Sequence, residues 1–264
     1  MARLENSMFQ LTGSIDGLTF VRDERGIIVK KKSSISRDRI MTHPNSRKTR
    51  ENMKEMGVAS KAAKQFRMAF SGEGRWIGSY FSGRMSGVLR RVVGMGEGER
   101  GKRSLDIRKN GERILKDFEF IESRPVLYSV GGNFMRPEFT PGRKKIRWES
   151  ERLERAKYIT SPKDATHMRY VMCVAGISSF KYDEKKDEYF PLTSWNERMR
   201  MTESGFVSLN KKVVSSVQME IILGKEVPEE VGLIVSVGVE FWREINGSFL
   251  RMDKSWSMKV VGVE

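Results

Sequence analysis

Histidine and cysteine are almost missing from this 264-residue chain, which holds two of the first, His43 and His167, and one of the second, Cys173. A lone cysteine excludes a disulfide within the chain, and three such residues in all exclude a Cys/His zinc cage with its four closely spaced ligands. Cys173 lies in an apolar run and reads as a small core residue. His43 precedes a proline and His167 opens a strand pattern; no motif surrounds either, so both read as structural. Long hydrophobic runs are lacking too. Uncharged runs such as Val231 to Val239 are far shorter than the roughly 20 residues that cross a bilayer. The opening MARLENSMFQ has no extended apolar core of the secretory kind. A soluble protein of the cytoplasm, or of a particle assembled there, is the expectation. No repeat and no low-complexity tract is present.

What the chain has in excess is positive charge. It carries 49 Lys and Arg against 34 Asp and Glu, a net of +15. Residues 1–103 hold 22 against 10, and residues 104–264 hold 27 against 24. The surplus is therefore concentrated in the N-terminal part, which suits a polyanion or an acidic partner. An apolar fraction of 38% is low, yet above the disordered range.

From Leu11 to Lys31 the pattern is that of short strands. Leu18 and Phe20 alternate with Thr19 and Val21, Gly17 permits a turn or bulge, and Ile27 to Lys31 returns as a hairpin partner. A polar loop ends at His43-Pro44. Because proline disfavours helix in the residue before it, a long helix is predicted to begin after it, at 46–70, with Asn45 or Ser46 as its cap. Met53, Met56, Ala59, Ala63, Phe66 and Phe70 recur at spacings of three and four, predicting its buried stripe, with Phe66 against the hairpin. Arg47, Arg50, Lys54, Lys61 and Lys64 take the other side. A second helix is predicted over 76–93, burying Trp76, Tyr80, Val88, Leu89 and Val92, with Gly78, Gly83 and Gly87 allowing close helix packing. Residues 94–103, GMGEGERGKR, read as a flexible linker and set the predicted domain boundary. Residues 105–122 fit either a hairpin turning at Asn110-Gly111 or a short helix.

Beyond Pro125 the pattern is one of strands. These include Val126 to Tyr128, Ile146 and Trp148 alternating with charges, Met168 to Phe180, Val213 to Leu223, Val235 to Phe241, and Trp256 to Val261, with a two-residue turn at Asn246-Gly247. The predicted architecture is α+β. A basic region of hairpin plus two helices, 1–103, precedes an antiparallel β-sandwich, 104–264.

Few motifs carry chemistry. Gly96-Glu97-Gly98-Glu99-Arg100-Gly101 matches G-x-G-x-x-G, but no strand precedes it and two glutamates would repel a pyrophosphate. The carboxylates Asp183, Glu184, Asp187 and Glu188 enclose Lys185 and Lys186 and read as a solvated hairpin loop rather than a metal site. A carboxylate-based enzyme lacks any convergent motif, so no catalytic, cofactor or metal residues are assigned. The strongest candidate is a polyanion-binding belt of Lys30, Lys31, Lys32, Arg37, Arg39, Arg47, Lys48 and Arg50. Without a base-reading signature it would contact phosphates only.

The residues Leu11-Thr12-Gly13, Gly17-Leu18-Thr19-Phe20 and Gly26-Ile27-Ile28-Val29-Lys30, the helix from Arg47, and the closing Val237-Gly238-Val239-Glu240-Phe241 with Asn246-Gly247 resemble a group of uncharacterised bacterial proteins attributed to phages or prophages. The resemblance covers roughly residues 1–95 and 231–263. It implies a non-enzymatic structural or assembly protein that self-assembles or binds a protein partner, and it supplies no catalytic residues. The alternative is a sequence-nonspecific nucleic-acid-binding protein using the basic belt.

Overall fold

The computed structural model describes residues 2–4, 11–23, 26–31, 35–195 and 198–264. The protein mixes helix with antiparallel sheet and divides into two compact units, Met1–Arg50 and Glu51–Glu264. The division does not fall in the glycine-rich stretch 94–103, which is folded into the second unit. Among the described residues no helix is long and apolar enough to cross a membrane.

The first unit contains strands β1 (Ala2–Leu4), β2 (Gly13–Ile15), β3 (Leu18–Asp23) and β4 (Gly26–Lys31) in one antiparallel sheet of order β1-β4-β3-β2. Asp16 and Gly17, both at positive φ, make the two-residue turn between β2 and β3 that the sequence signals. The loop expected after Lys31 contains a short helix, α1 (Arg37–Thr42), capped by Ser36 Oγ on the Arg39 N–H at 3.1 Å. A 3₁₀ turn at Pro44–Ser46 follows and leads into α2 (Arg47–Ala69).

In the second unit α2 buries Glu55, Val58, Ala59, Ala62, Ala63 and Phe66. This corrects the predicted stripe at its N-terminal end, where Met53 and Met56 are 46% and 41% exposed. One residue step turns a helix by about 100°, so Glu55 lies that far around the helix from Met56 and in line with Ala59 and Ala62. The burial of Glu55 is possible because arginines meet it. Phe66 is fully buried as predicted, and its ring meets Phe70, Phe81 and Phe120. The second helix is shorter than expected: a 3₁₀ segment, Ser71–Trp76, precedes α3 (Phe81–Gly94). Tyr80 is exposed at φ +62, and Gly83 and Gly87 have no side chain packed against them, so they mediate no close helix contact.

Single-turn helices α4 (Ile107–Asn110), α5 (Glu112–Leu115) and α6 (Val126–Ser129) follow. The last replaces the strand expected at 126–128. The rest is dominated by strands: β5 (Glu138–Phe139), β6 (Lys145–Glu149), β7 (Leu153–Glu154), then α7 (Arg155–Tyr158), β8 (His167–Ser178), β9 (Phe180–Asp183), β10 (Glu188–Pro191), β11 (Arg198–Glu203), β12 (Val207–Ser208), β13 (Val213–Val214), β14 (Gln218–Ile222), β15 (Val231–Ile245) and β16 (Ser248–Val263). The central antiparallel sheet runs β11-β8-β15-β16, with β12 also on β8; β14-β6-β5 forms a second sheet. Asn246 and Gly247, both at positive φ, close the β15–β16 hairpin as read from the sequence.

The period of a strand sends alternate residues of β8 into two cores. Val171, Cys173, Ala175 and Ile177 join the helix residues, whereas Met168, Tyr170, Met172 and Val174 join Ile146, Trp148, Met219 and Ile221 of the second sheet. The helices therefore share a core with the central sheet and do not belong to a separate domain. Trp76 closes on β15 at Gly238, where an added Cβ would come within 2.9 Å of the indole.

Candidate interaction surfaces and a mixed-charge cleft

The belt residues fall on three elements of the first unit. Lys30 and Lys31 are exposed neighbours on β4, so they point to opposite faces of the sheet. Lys32 lies outside the described residues. Arg37 and Arg39 are exposed on α1, two residues and hence roughly 200° apart. Arg47 and Lys48 are exposed at the start of α2. Arg50 is occupied internally: its Nη1 donates to the carbonyls of Ile40 at 2.8 Å and His43 at 2.9 Å, satisfying oxygens at the end of α1. The structure does not gather the belt on one face of one element.

Other basic residues of the N-terminal part are counter-ions inside the second unit. Lys54 pairs with Asp187 at 2.6 Å and Lys102 with Glu184 at 2.6 Å. The loop 183–187 is thereby held by lysines as well as by its own Asx turn, in which Asp183 Oδ1 accepts from the Lys185 and Lys186 N–H groups. Among the described residues no cluster of acidic or His/Cys side chains is arranged to hold a metal ion.

A feature of the first unit that the charge pattern hid is an apolar sheet face. The register opposes Ile15 with Leu18 and Phe20 with Val29, and aligns Arg22 with Ile27. Residues directly opposite share a face, so Ile15, Leu18, Phe20, Ile27 and Val29 make one side of the sheet. Of these only Ile27, at 6%, is buried; Ile15 is 56% and Leu18 41% exposed.

The stretch 94–103 is neither a linker nor a phosphate loop. Gly101, at φ +87, donates its N–H to Glu55 Oε1 at 2.8 Å, and an added Cβ would crowd Glu51. Glu97 and Ser104 bond reciprocally, with Ser104 N–H on the Glu97 carbonyl at 2.8 Å and Glu97 N–H on Ser104 Oγ at 3.1 Å. Amides that a phosphate loop would offer to a ligand are thus used within the protein. Glu55 is fully buried. Arg90 Nη2 lies 2.6 Å from its Oε2, a short ionic contact off the hydrogen-bond line, and Arg103 Nε is 4.0 Å from Oε1. Arg100 reaches Asn52 Oδ1 at 3.0 Å and completes the clamp on α2.

A cleft of about 370 Å³ opens between α3 and the segment 114–125, lined by Arg84, Val88, Arg91, Ile114, Lys116, Asp117, Phe118, Glu119, Glu122 and Pro125. Asp117 N–H and Phe120 N–H bond to β16 carbonyls, which fixes the segment as a short extra edge beside that strand. Burial raises the Glu119 carboxyl to about 7, against the opposing pull of the Val126 N–H, Lys259 and Arg84 and together with the like charge of Asp117. A carboxyl whose pKa is raised on folding binds more protons in the native state, so its contribution is favourable below the unfolded value and is lost as pH rises through about 7. The loss is at most ~3 kcal/mol, reduced by partial exposure. Glu119→Gln keeps an acceptor for Val126 and removes the titration. Urea unfolding between pH 4.5 and 8 should show a flatter stability profile for the variant and higher stability than wild type at pH 8; an unchanged slope would refute the assignment.

His43 and His167 both make local contacts. His43 Nδ1 accepts from the Asn45 N–H at 3.2 Å, and the His167 ring meets Phe249 edge-to-face with centroids 5.0 Å apart. Cys173 is buried in the core. No protein-family model, curated protein or solved structure matches the chain.

Proposed function

We propose that this protein is a non-enzymatic structural or assembly protein, of the phage-associated kind its N-terminal strands resemble, and that it pairs with a second copy of itself through the N-terminal sheet. The central and second sheets, packed in the manner of a sandwich, act as the rigid scaffold. The observation that carries this reading is the apolar face of Ile15, Leu18, Phe20 and Val29, on which Ile15 and Leu18 are exposed and Phe20 and Val29 partly so, in a unit with one buried apolar side chain among its described residues. A unit of this size with so few buried apolar side chains among its described residues draws stability from a disulfide, a metal or oligomerisation. The chain's only cysteine is buried in the other unit, and among the described residues no cluster is arranged to hold a metal ion, which favours oligomerisation. A two-fold pairing requires one surface that complements itself, and an apolar face with Arg22 and Lys31 only at its margins meets that condition. The alternative, nonspecific binding of nucleic acid, draws on the exposed Lys30, Lys31, Arg37, Arg39, Arg47 and Lys48.

Sedimentation velocity separates the two. The wild type is expected to be dimeric or larger at micromolar concentration, and Ile15→Glu with Leu18→Glu should return it to monomer without altering the melting of the larger unit. A monomeric wild type would overturn the assembly reading. Sub-micromolar DNA binding that weakens on neutralising Lys30, Lys31, Lys32, Arg47 and Lys48, with about one unit of log–log salt slope lost per phosphate contact and no change in mass, would favour the alternative.

A further inference from the structure

The cleft beside α3 holds three cations whose charge is only partly matched within the protein. Arg84 lies on the Phe118 ring, its guanidinium carbon 4.9 Å from the centroid, and its Nη2 donates to the Glu119 carbonyl at 2.8 Å. These two contacts fix the plane of the guanidinium. Its Nη1 is shielded from solvent and has no hydrogen-bond partner among the described residues, while Glu122 stands 3.8 Å from Nε on a well-exposed side chain. The charge of Arg84 is therefore only partly compensated beside the cleft. Arg91 and Lys116 are exposed along the same cleft. Asp117 is already engaged by Lys259 at 2.9 Å, and Glu119, raised to about 7 by burial, is substantially protonated at neutral pH. The remaining walls, Val88, Ile114, Phe118 and Pro125, are apolar, and the volume falls in the range of small-molecule sites.

We propose that this cleft binds a small phosphorylated organic molecule, with the phosphate among Arg84, Arg91 and Lys116 and the organic part against Val88, Ile114, Phe118 and Pro125. A phosphate dianion matches a surplus of more than one positive charge where a single carboxylate does not. The apolar wall favours an ester over inorganic phosphate. The residues that line the site all belong to the second unit, and the variants used to test it leave the N-terminal sheet unchanged.

Calorimetric titration of the full chain with phenyl phosphate, inorganic phosphate and phenol at pH 6.5 and low salt tests the assignment. Phenyl phosphate should bind at least tenfold more tightly than inorganic phosphate, and phenol should give no detectable heat. Arg91→Glu with Lys116→Glu, both at exposed positions and checked for an unchanged Tm, should weaken phenyl phosphate at least tenfold. Arg84→Lys, which keeps the charge and loses the guanidinium plane on Phe118, should weaken it to a lesser degree. Lys211→Glu with Lys212→Glu makes the same charge change outside the cleft and should alter affinity less than twofold. Absence of phenyl phosphate binding, equal binding of phenol, or an equal loss from the remote pair would each overturn the proposal.

Discussion

Glu55→Ala should destabilise the larger unit by about 3–5 kcal/mol, the cost of breaking a buried ion pair from one side. The carboxylate is fully buried on α2 and joins three groups from distant parts of the chain: Arg90 on α3, Arg103, and the Gly101 N–H of the folded glycine-rich loop. Removing it leaves Arg90 and Arg103 without their shared anion and a buried N–H without an acceptor. Glu55→Gln keeps the acceptor for Gly101 and discards only the charge, so it should cost less. Urea unfolding followed by tryptophan fluorescence measures both. Hydrogen exchange adds a local readout, because the Gly101 and Ser104 amides should lose protection in Glu55→Ala before the central strands do. A change below 1 kcal/mol would mean that the loop is held by Asn52, Glu51 and Ser104 and not by Glu55.

Phe66→Ala is expected to cost a similar 3–5 kcal/mol for a different reason, the cavity left by a fully buried ring. Phe66 stands within 6 Å, centroid to centroid, of Phe70, Phe81 and Phe120, which come from just past the end of α2, from the start of α3 and from the segment beside β16. No single neighbour can fill the space, because each ring is also fixed by the others; Phe81 and Phe120 lie 5.2 Å apart and Phe70 and Phe120 5.3 Å. Phe66→Leu retains most of the volume and should cost much less. The two sites are eleven residues apart on one helix, about 16 Å along its axis. Their effects should therefore add in the double variant to within a few tenths of a kcal/mol. An unchanged unfolding midpoint for Phe66→Ala would show that the ring cluster contributes no packing energy.

The comparison of α2 with its sequence pattern shows where legibility stops. Ala59, Ala63, Phe66 and Phe70 were readable as buried from their spacing, since a helix needs no distant information to set its period. Met53 and Met56 were misread because a glutamate between them looked like a surface residue. Nothing local in the sequence announces that Arg90 and Arg103 will arrive to neutralise it. The same limit explains the loop 94–103, whose glycines suggested a flexible connection and instead allow close approach to Ser104 and Glu51. It also explains the cleft, since Arg84 and Glu119 are 35 residues apart and their types alone carry no signal.

The sequence by itself determined the elements that depend on neighbours a few residues away. These are the turns at Gly17 and Asn246-Gly247, which need positive φ, the alternation of Ile146 and Trp148, and the burial of Phe66. It also determined the surplus of positive charge. Only the tertiary structure decided which of those charges remain on the surface and which become counter-ions, which side of the N-terminal helix is buried, and that both helices share a core with the central sheet. The apolar face of the N-terminal sheet was likewise visible only once the register aligned Ile15 with Leu18 and Phe20 with Val29. The physical reason is range. Backbone preference and side-chain period act over one or two turns, whereas ion pairing and burial depend on surfaces that meet only after residues 140 and 162 apart in the chain have been brought together, as Glu119 is with Lys259 and Trp76 with Gly238.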